Sequence, residues 1–573
     1  ESRDLRRIAK WQWKGPYDLP DRGKLLPKLA SLAHAMQQAR EDGGGSQVRV
    51  AFDDALDLLD DPADEAIVQA GEALSVLDED EAAGDLMYIH QLVQEYFAAR
   101  ELARVPDPEL VRVEWRAAKI GPTVDEVIDS LDPADPLPPL PGTGWEETTI
   151  LAATMTEDPP SFLRGVMETN LALAGRAASQ PDLMPLLPAD LLDELRWELV
   201  RRSRDLAADL RDRIACGYAV GDLGDPRFER RVGPYGEYLM PPLVEIPGGV
   251  YPIGDDEPIE WSLTGASGVT TAHIPRHPVE VAGFQIGQYL VTNAEWRCFM
   301  EAGGYDDEGW WDTPDAKRWQ RGELAHEGAK WNNRLFRKRF LDDPDLFEQL
   351  VDEGSFPSAE ALERWRTWMK LDDHAFEAAL DAQWQAKRET EPAYWRDGRY
   401  NHPTQPVVGL SWYEARAYCA WMSAQTGQSV RLPTEVEREA AAGGTEGRRY
   451  PWGDGEERAR ANTSETRIRR TTPVGVFPEG DSPEGLADLG GNAFEWTTSL
   501  FGVIHEDDIE ATDFPYPYEP SDGREDPEVG PGVRPVVRGG SWAGDRSNAR
   551  AAHRGANHPD DRDCENGQRL LTG

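Results

Sequence analysis

The sequence predicts an α+β chain: an all-α N-terminal region, then a domain with little regular secondary structure. Helical periodicity dominates the first part. Leu92, Tyr96 and Ala99 share one spacing with Val93, Phe97 and Leu102 beside them, which predicts a helix with one broad apolar face over 88–102. Leu192, Leu195 and Leu199 repeat the pattern, as do Leu206, Leu210 and Ile214. From about Met240 the character changes: Gly, Pro and Trp rise, and His277–Phe284 alternates as a half-buried strand does.

At 573 residues the chain is long enough for roughly two to four domains with cores of their own. Lys and Arg total 61 against 105 Asp and Glu, a formal net charge of −44, which repels phosphate backbones and excludes nucleic acid as the expected partner. Cys216, Cys298, Cys419 and Cys564 are too few and too widely spaced for a disulfide framework or a zinc site, which predicts a reducing, cytoplasmic setting. No apolar run reaches the ~18 residues of a membrane span. Glu1 is not a natural start, so the chain reads as part of something longer.

The elements follow in order. His90 heads the 88–102 helix as a capping or core histidine. The Pro-rich stretch from Asp132 to Gly144 reads as a stiff connector; no Gly-x-x-x-x-Gly-Lys-Ser/Thr occurs anywhere, so no nucleotide is expected. Paired helices over 145–235 close on Gly221-Asp-Leu-Gly-Asp-Pro226. Thr292, Ser411 and Thr434 each precede a Glu by three residues, the capping-box signature of a helix start, and Gly427 stops the helix that Ser411 starts.

Three resemblances add to this reading. Tyr88–Leu102, with its His and its Gln-Glu-Tyr-Phe-Ala-Ala run, resembles the end of the winged-helix segment in NACHT-type signalling ATPases; residues 1–105 are then the end of such a module, and 106–235 a HEAT-like helical connector. Ile246-Pro-Gly-Gly249, Ser411-Trp-Tyr-Glu-Ala415, Arg431-Leu-Pro-Thr-Glu435, Tyr450-Pro-Trp-Gly453, Gly490–Trp496 and Arg538-Gly-Gly-Ser-Trp542 occur in the order of the formylglycine-generating-enzyme (sulfatase-modifying factor) domain, a variant of the C-type lectin fold. That resemblance covers 236–573, with a charged, Trp-rich insertion at about 310–397.

The third covers a variable region at about 536–571. There Arg546, Arg550, Arg554 and Arg562 recur among Ala, Pro, Asp and Gly, and between them lie Ala543, Gly544, Asp545, Ser547, Asn548, His553, Gly555, Ala556, Asn557, Asp561, Asp563, Cys564 and Asn566. Each of these is reachable from an Asn codon by changing its two adenines, which resembles the rewritten surface of a diversity-generating retroelement target. A polar, Gly-rich loop explains the same composition, and Glu565 breaks the codon rule.

The resemblances imply a non-catalytic receptor. Residues 543–566 would form a solvent-facing ligand surface for a protein or other macromolecule, with Arg550, Arg554 and Arg562 anchoring it from below, and the domain would serve as the sensor of an upstream NACHT-type ATPase. The two Cys that hold copper in the formylglycine enzymes are absent between Trp542 and Arg550, and no His-x-x-x-His-x-Glu string offers an iron site, so neither copper nor iron is expected. By resemblance Asp488, Gly491, Ala493 and Glu495 offer a calcium loop, and Asn462 matches a second calcium site. The alternatives are a divergent formylglycine-generating or sulfoxide-synthase-type oxidoreductase and an adaptor for one fixed protein partner.

Overall fold

The computed structural model describes residues 23–573 apart from 40–48, 81, 133, 264–265, 325, 354, 357, 456–457, 504–510 and 527–531. The chain divides into two compact units: residues 1–114 with 140–199, and 115–139 with 200–573. These are packing units, and they cut the chain elsewhere than the expected domain borders at 105 and 235. The helix Leu210–Leu223 belongs to the C-terminal unit, where Gly217 lies against Pro473 and Val476 with no room for a side chain.

The N-terminal unit is not all helical. Arg49–Ala51, Asp85–Tyr88 and Leu77–Asp80 form an antiparallel sheet with the Asp85 strand in the middle. These strands are too short and acidic to register as alternation. The helix Gln91–Arg104 follows as predicted, and the His90 side chain caps it by accepting from Leu92 N at 3.1 Å. Its apolar face is narrower than read: Phe97, Ala98, Ala99 and Leu102 are buried, but Leu92 is 62% and Tyr96 42% exposed. Leu192, Leu195 and Leu199 are buried together as expected, whereas Leu206 precedes its helix and is exposed.

In the C-terminal unit all three capping boxes form, at Thr292–Glu295, Ser411–Glu414 and Thr434–Glu437, and Gly427 ends its helix at φ +70°. One sheet runs in the order Val430–Arg431, Leu571–Thr572, Phe284–Gly287, Leu243–Ile246, which sews the end of the domain to its beginning. A second runs Gly555–Ala556, Val533–Arg538, Phe494–Val503, Asn566–Gly567. The high Trp content fills the core between them: Trp296, Trp412, Trp421 and Trp496 are fully buried around Tyr418 and Phe299. The insertion splits in two. Trp310, Trp311 and Trp319 join this core, but the helices Glu327–Asp342, Pro344–Asp352, Ala359–Trp368 and Asp373–Gln383 pack around small cores of their own, Phe340–Phe347–Leu350 and Trp368–Phe376–Leu380.

Candidate functional site

The segment after strand Val533–Arg538 turns sharply at Gly539 and Gly540, with φ of +98° and +73°. A Cβ on Gly540 would sit 2.8 Å from the Asn548 carbonyl carbon, so the turn requires glycine. The chain then returns twice to the sheet: Gly555–Ala556 pairs with Val536–Val537, and Asn566–Gly567 pairs in parallel with Phe494–Glu495.

Buried arginines hold this path. Arg554 forks onto both oxygens of Glu435 at 2.7 and 2.9 Å and donates to Ala272 O at 2.7 Å. Arg538 joins Glu435 at 3.1 Å and Glu439 at 2.8 Å, and donates to the carbonyls of Ala551 and His553. Arg562 forks onto Glu414 at 3.0 and 3.1 Å. Arg569 forks onto Glu495 and donates to the Gly287, Gln288 and Ala487 carbonyls. Burial pushes Glu435 and Glu495 up, but the guanidiniums around them outweigh it and hold both below the usual carboxylate range. Arg550 is not such an anchor: its Nε and Nη1 are buried with no hydrogen-bond partner among the described residues.

The expected solvent-facing patch is only partly there. Asp563 is exposed, and Ala543, Asp545, Ser547, Gly555, Ala556, Asn557 and Cys564 are half-buried. Gly544, Asn548, His553, Asp561 and Asn566 are buried, each for a local reason. Gly544 bridges to Leu263, and Asn548 donates to Ser262 O at 2.8 Å and to Asp545 Oδ1 at 3.0 Å, which pins the turn to the Ile259–Leu263 strand. His553 is drawn inward with the carbonyl that Arg538 holds; burial, with Arg538, His273 and Arg550 nearby, pushes it down to about 3. Asp561 lies under Asn332 of the insertion, and Asn566 accepts from Asn557 at 2.9 Å. Glu565, which breaks the codon rule, accepts the Ser541 hydroxyl at 2.8 Å and thereby belongs to the frame.

The proposed calcium loop is braced by protein donors instead. Glu495 lies between Arg438 at 3.0 Å and Arg569 at 3.0 Å. Asp488 accepts Gly475 N at 2.7 Å, a Cβ on Gly491 would lie 2.5 Å from Asn462 O, and Ala493 is buried. Asn462 donates to Arg470 O at 2.9 Å and accepts from Thr466. Two guanidiniums already supply the counter-charge of Glu495, so these residues do not fit an all-oxygen Ca²⁺ site. The residues present do not fit a two-thiolate copper site either: Ser541–Arg550 has no thiol, and burial pushes the Cys564 thiol up. Among the described residues no cluster of His, Cys, Asp and Glu is set to hold a metal ion, and no helix is long and apolar enough to cross a membrane.

Sequence reasoning missed the acceptors. The Thr434 capping box pointed to Glu437, while Glu435 and Glu439, four residues apart on the inner face of the same helix, carry the arginines. It also missed Asp560, whose carboxylate accepts Glu327 N at 2.7 Å and Gly328 N at 2.9 Å at the start of an insertion helix.

Residues 232–572 match the sulfatase-modifying factor enzyme 1-like domain. The chain belongs to that family. It is 29% identical over 363 residues to the hercynine oxygenase of Mycolicibacterium smegmatis, covering 61% of this chain and 64% of that protein. It is 27% identical over 335 residues to the formylglycine-generating enzyme of Bos taurus, covering 56% and 71%. The chain thus spans less than two thirds of the hercynine oxygenase it matches. Among solved structures, Treponema denticola variable protein 1 is similar with a TM-score of 0.32 and 18% identity, over 61% of this chain and 99% of that one. These names correct the expectation of a domain outside enzyme chemistry: the hercynine oxygenase and the formylglycine-generating enzyme are named as enzymes.

Proposed function

We propose that residues 541–566 are the ligand-recognising segment of the C-terminal domain. One observation carries this. Arg538, Arg554 and Arg562 fix the backbone through buried carboxylates, while Ala543, Ser547, Asn557 and Asp563 between and beside them stay outside the core. A rigid frame with small, partly open positions is what a binding surface requires.

The relatives' names favour a substrate as that ligand, and a divergent oxidoreductase of the formylglycine-generating or sulfoxide-synthase type as the activity. The test is oxygen uptake by the purified chain, given copper(I) or iron(II) in turn, with a Cys-containing peptide or with a histidine betaine plus a thiol. Uptake that a Ser547→Trp change abolishes, at unchanged melting temperature, supports this reading. No uptake with either metal overturns the oxidoreductase.

A second reading draws on the Asn-codon positions: a diversified receptor that captures a macromolecule and biases an upstream NACHT-type ATPase toward its assembled state. Sequencing the gene from sister clones tests it. Substitutions confined to those positions support it, and an invariant segment sinks it.

A further inference from the structure

Among the described residues, the insertion helices meet the segment at a small polar contact. Asp560 receives the first amides of the helix Glu327–Asp342, and His558 Nδ1 lies 2.6 Å from the same carboxylate. One turn further, Asn332 reaches Asp561 at 3.3 and 3.4 Å. The fit is tight: a Cβ on Gly328 would lie 2.5 Å from His558 Cβ and 2.6 Å from Asp560 Oδ1 and Asp561 Oδ1. The contact is polar, whereas the apolar side chains of these helices are spent on their own cores. The stem is narrow. Gly322, at φ +72°, abuts the Lys387–Arg388 backbone, so the chain segments entering and leaving the helical group lie side by side. Beside the stem, Arg562 pairs with Glu389 at 3.1 Å and with Glu414, so that part of the segment is fixed to the domain.

We propose that the helices between Glu327 and Gln383 are a lid. They hold together as one body on the 322/388 stem, dock on His558–Asp561 through the amides of Glu327 and Gly328, and swing away to uncover that end of the ligand-recognising segment. The body's own cores explain why it moves as a unit, and the polar latch explains why it separates: hydrogen bonds exposed on opening exchange for water at small net cost, which a shared apolar core would not allow. This rests on the reading of 541–566 as the recognising segment for its purpose, but not for its motion.

Amide hydrogen exchange on the unliganded chain measures the motion alone, so it fails or succeeds independently of any ligand. In the wild type, the amides of 327–332 and 558–563 exchange far faster than those of the buried helix Trp412–Thr426. Two variants approach the latch from opposite sides. Asp560→Ala removes the acceptor, and Gly328→Ala wedges the lid off while leaving every residue of the segment itself unchanged. Each is expected to speed exchange of both 327–332 and 558–563 by about tenfold or more, with the amides of 335–342 and of Trp412–Thr426 unchanged. The proposal is overturned if 335–342 or Trp412–Thr426 accelerate in step with the latch, since the lid would then be part of one cooperative unit. It is equally overturned if neither variant changes the exchange of 558–563, or if wild-type 327–332 exchanges as slowly as the core helix.

Discussion

Replacing Glu435 with Gln tests whether buried ion pairs hold the recognising segment. The carboxylate faces Arg554 at 2.7 and 2.9 Å, Arg538 at 3.1 Å and Arg524 at 3.5 Å, all buried. After the substitution Arg524 keeps Asp522 at 2.7 Å, and Arg538 keeps Glu439 at 2.8 Å. Arg554 keeps the carbonyls of Ala272 and Phe514 and the one oxygen of the new amide, but no carboxylate. One guanidinium therefore stays buried without a counter-charge, a loss of about 3–5 kcal/mol. For a domain of this size, at about 2 °C per kcal/mol, the melting temperature should fall by about 6–10 °C. Scanning calorimetry reads the shift, with Glu363→Gln as the reference, since Glu363 pairs with Arg366 on the surface and should cost under about 1 kcal/mol. If the two variants melt together, the segment is held by its apolar contacts and the ionic frame is incidental.

Other outcomes follow from the same geometry. Glu295, pushed up to about 8, Glu565, to about 7, and Asp481, to about 6, all chiefly by burial, retain protons that unfolded carboxyls release. They therefore favour the folded chain increasingly as pH falls from about 8 toward the unfolded range near ~4.3. Glu435 and Glu495 have folded pKa values below the unfolded one, so their stabilisation is present above ~4.3 and lost as pH falls through the folded values. Urea midpoints at pH 8, 5 and 3 should thus peak at 5, and a monotonic series would count against these assignments. Glu495→Gln should destabilise by about 3–5 kcal/mol, because Arg438 and Arg569 remain buried, and calcium or chelator should not change the melting temperature of either form. A calcium-dependent rise that Glu495→Gln removes would restore the metal loop.

What was legible in the sequence was local. A capping box needs residues three apart, so all three were readable from Thr292, Ser411 and Thr434 before any fold was known. The narrowing of the 91–104 helix face was not, because Leu92 and Tyr96 fit the period as well as Phe97 and Leu102 do, and tertiary packing alone decides which stay exposed. The arginine frame was half visible. Arg554 and Arg562 stood out by spacing, but Glu435 lies 119 residues from Arg554 and Glu414 lies 148 from Arg562, beyond any local signal. Small polar residues such as Gly544 and Asn548 read as surface because composition cannot tell an open loop from a turn bonded to Ser262.

The central claim is a fixed frame carrying replaceable positions. A saturation scan of residues 541–569, read out as folded protein after protease challenge, tests it most directly. The account predicts that Asn548, Arg554, Arg562 and Arg569 accept almost nothing, while Ala543, Ser547 and Asp563 accept polar and aromatic residues within roughly ±0.5 kcal/mol. If the second group proves as intolerant as the first, the segment is core throughout and presents no surface to a ligand.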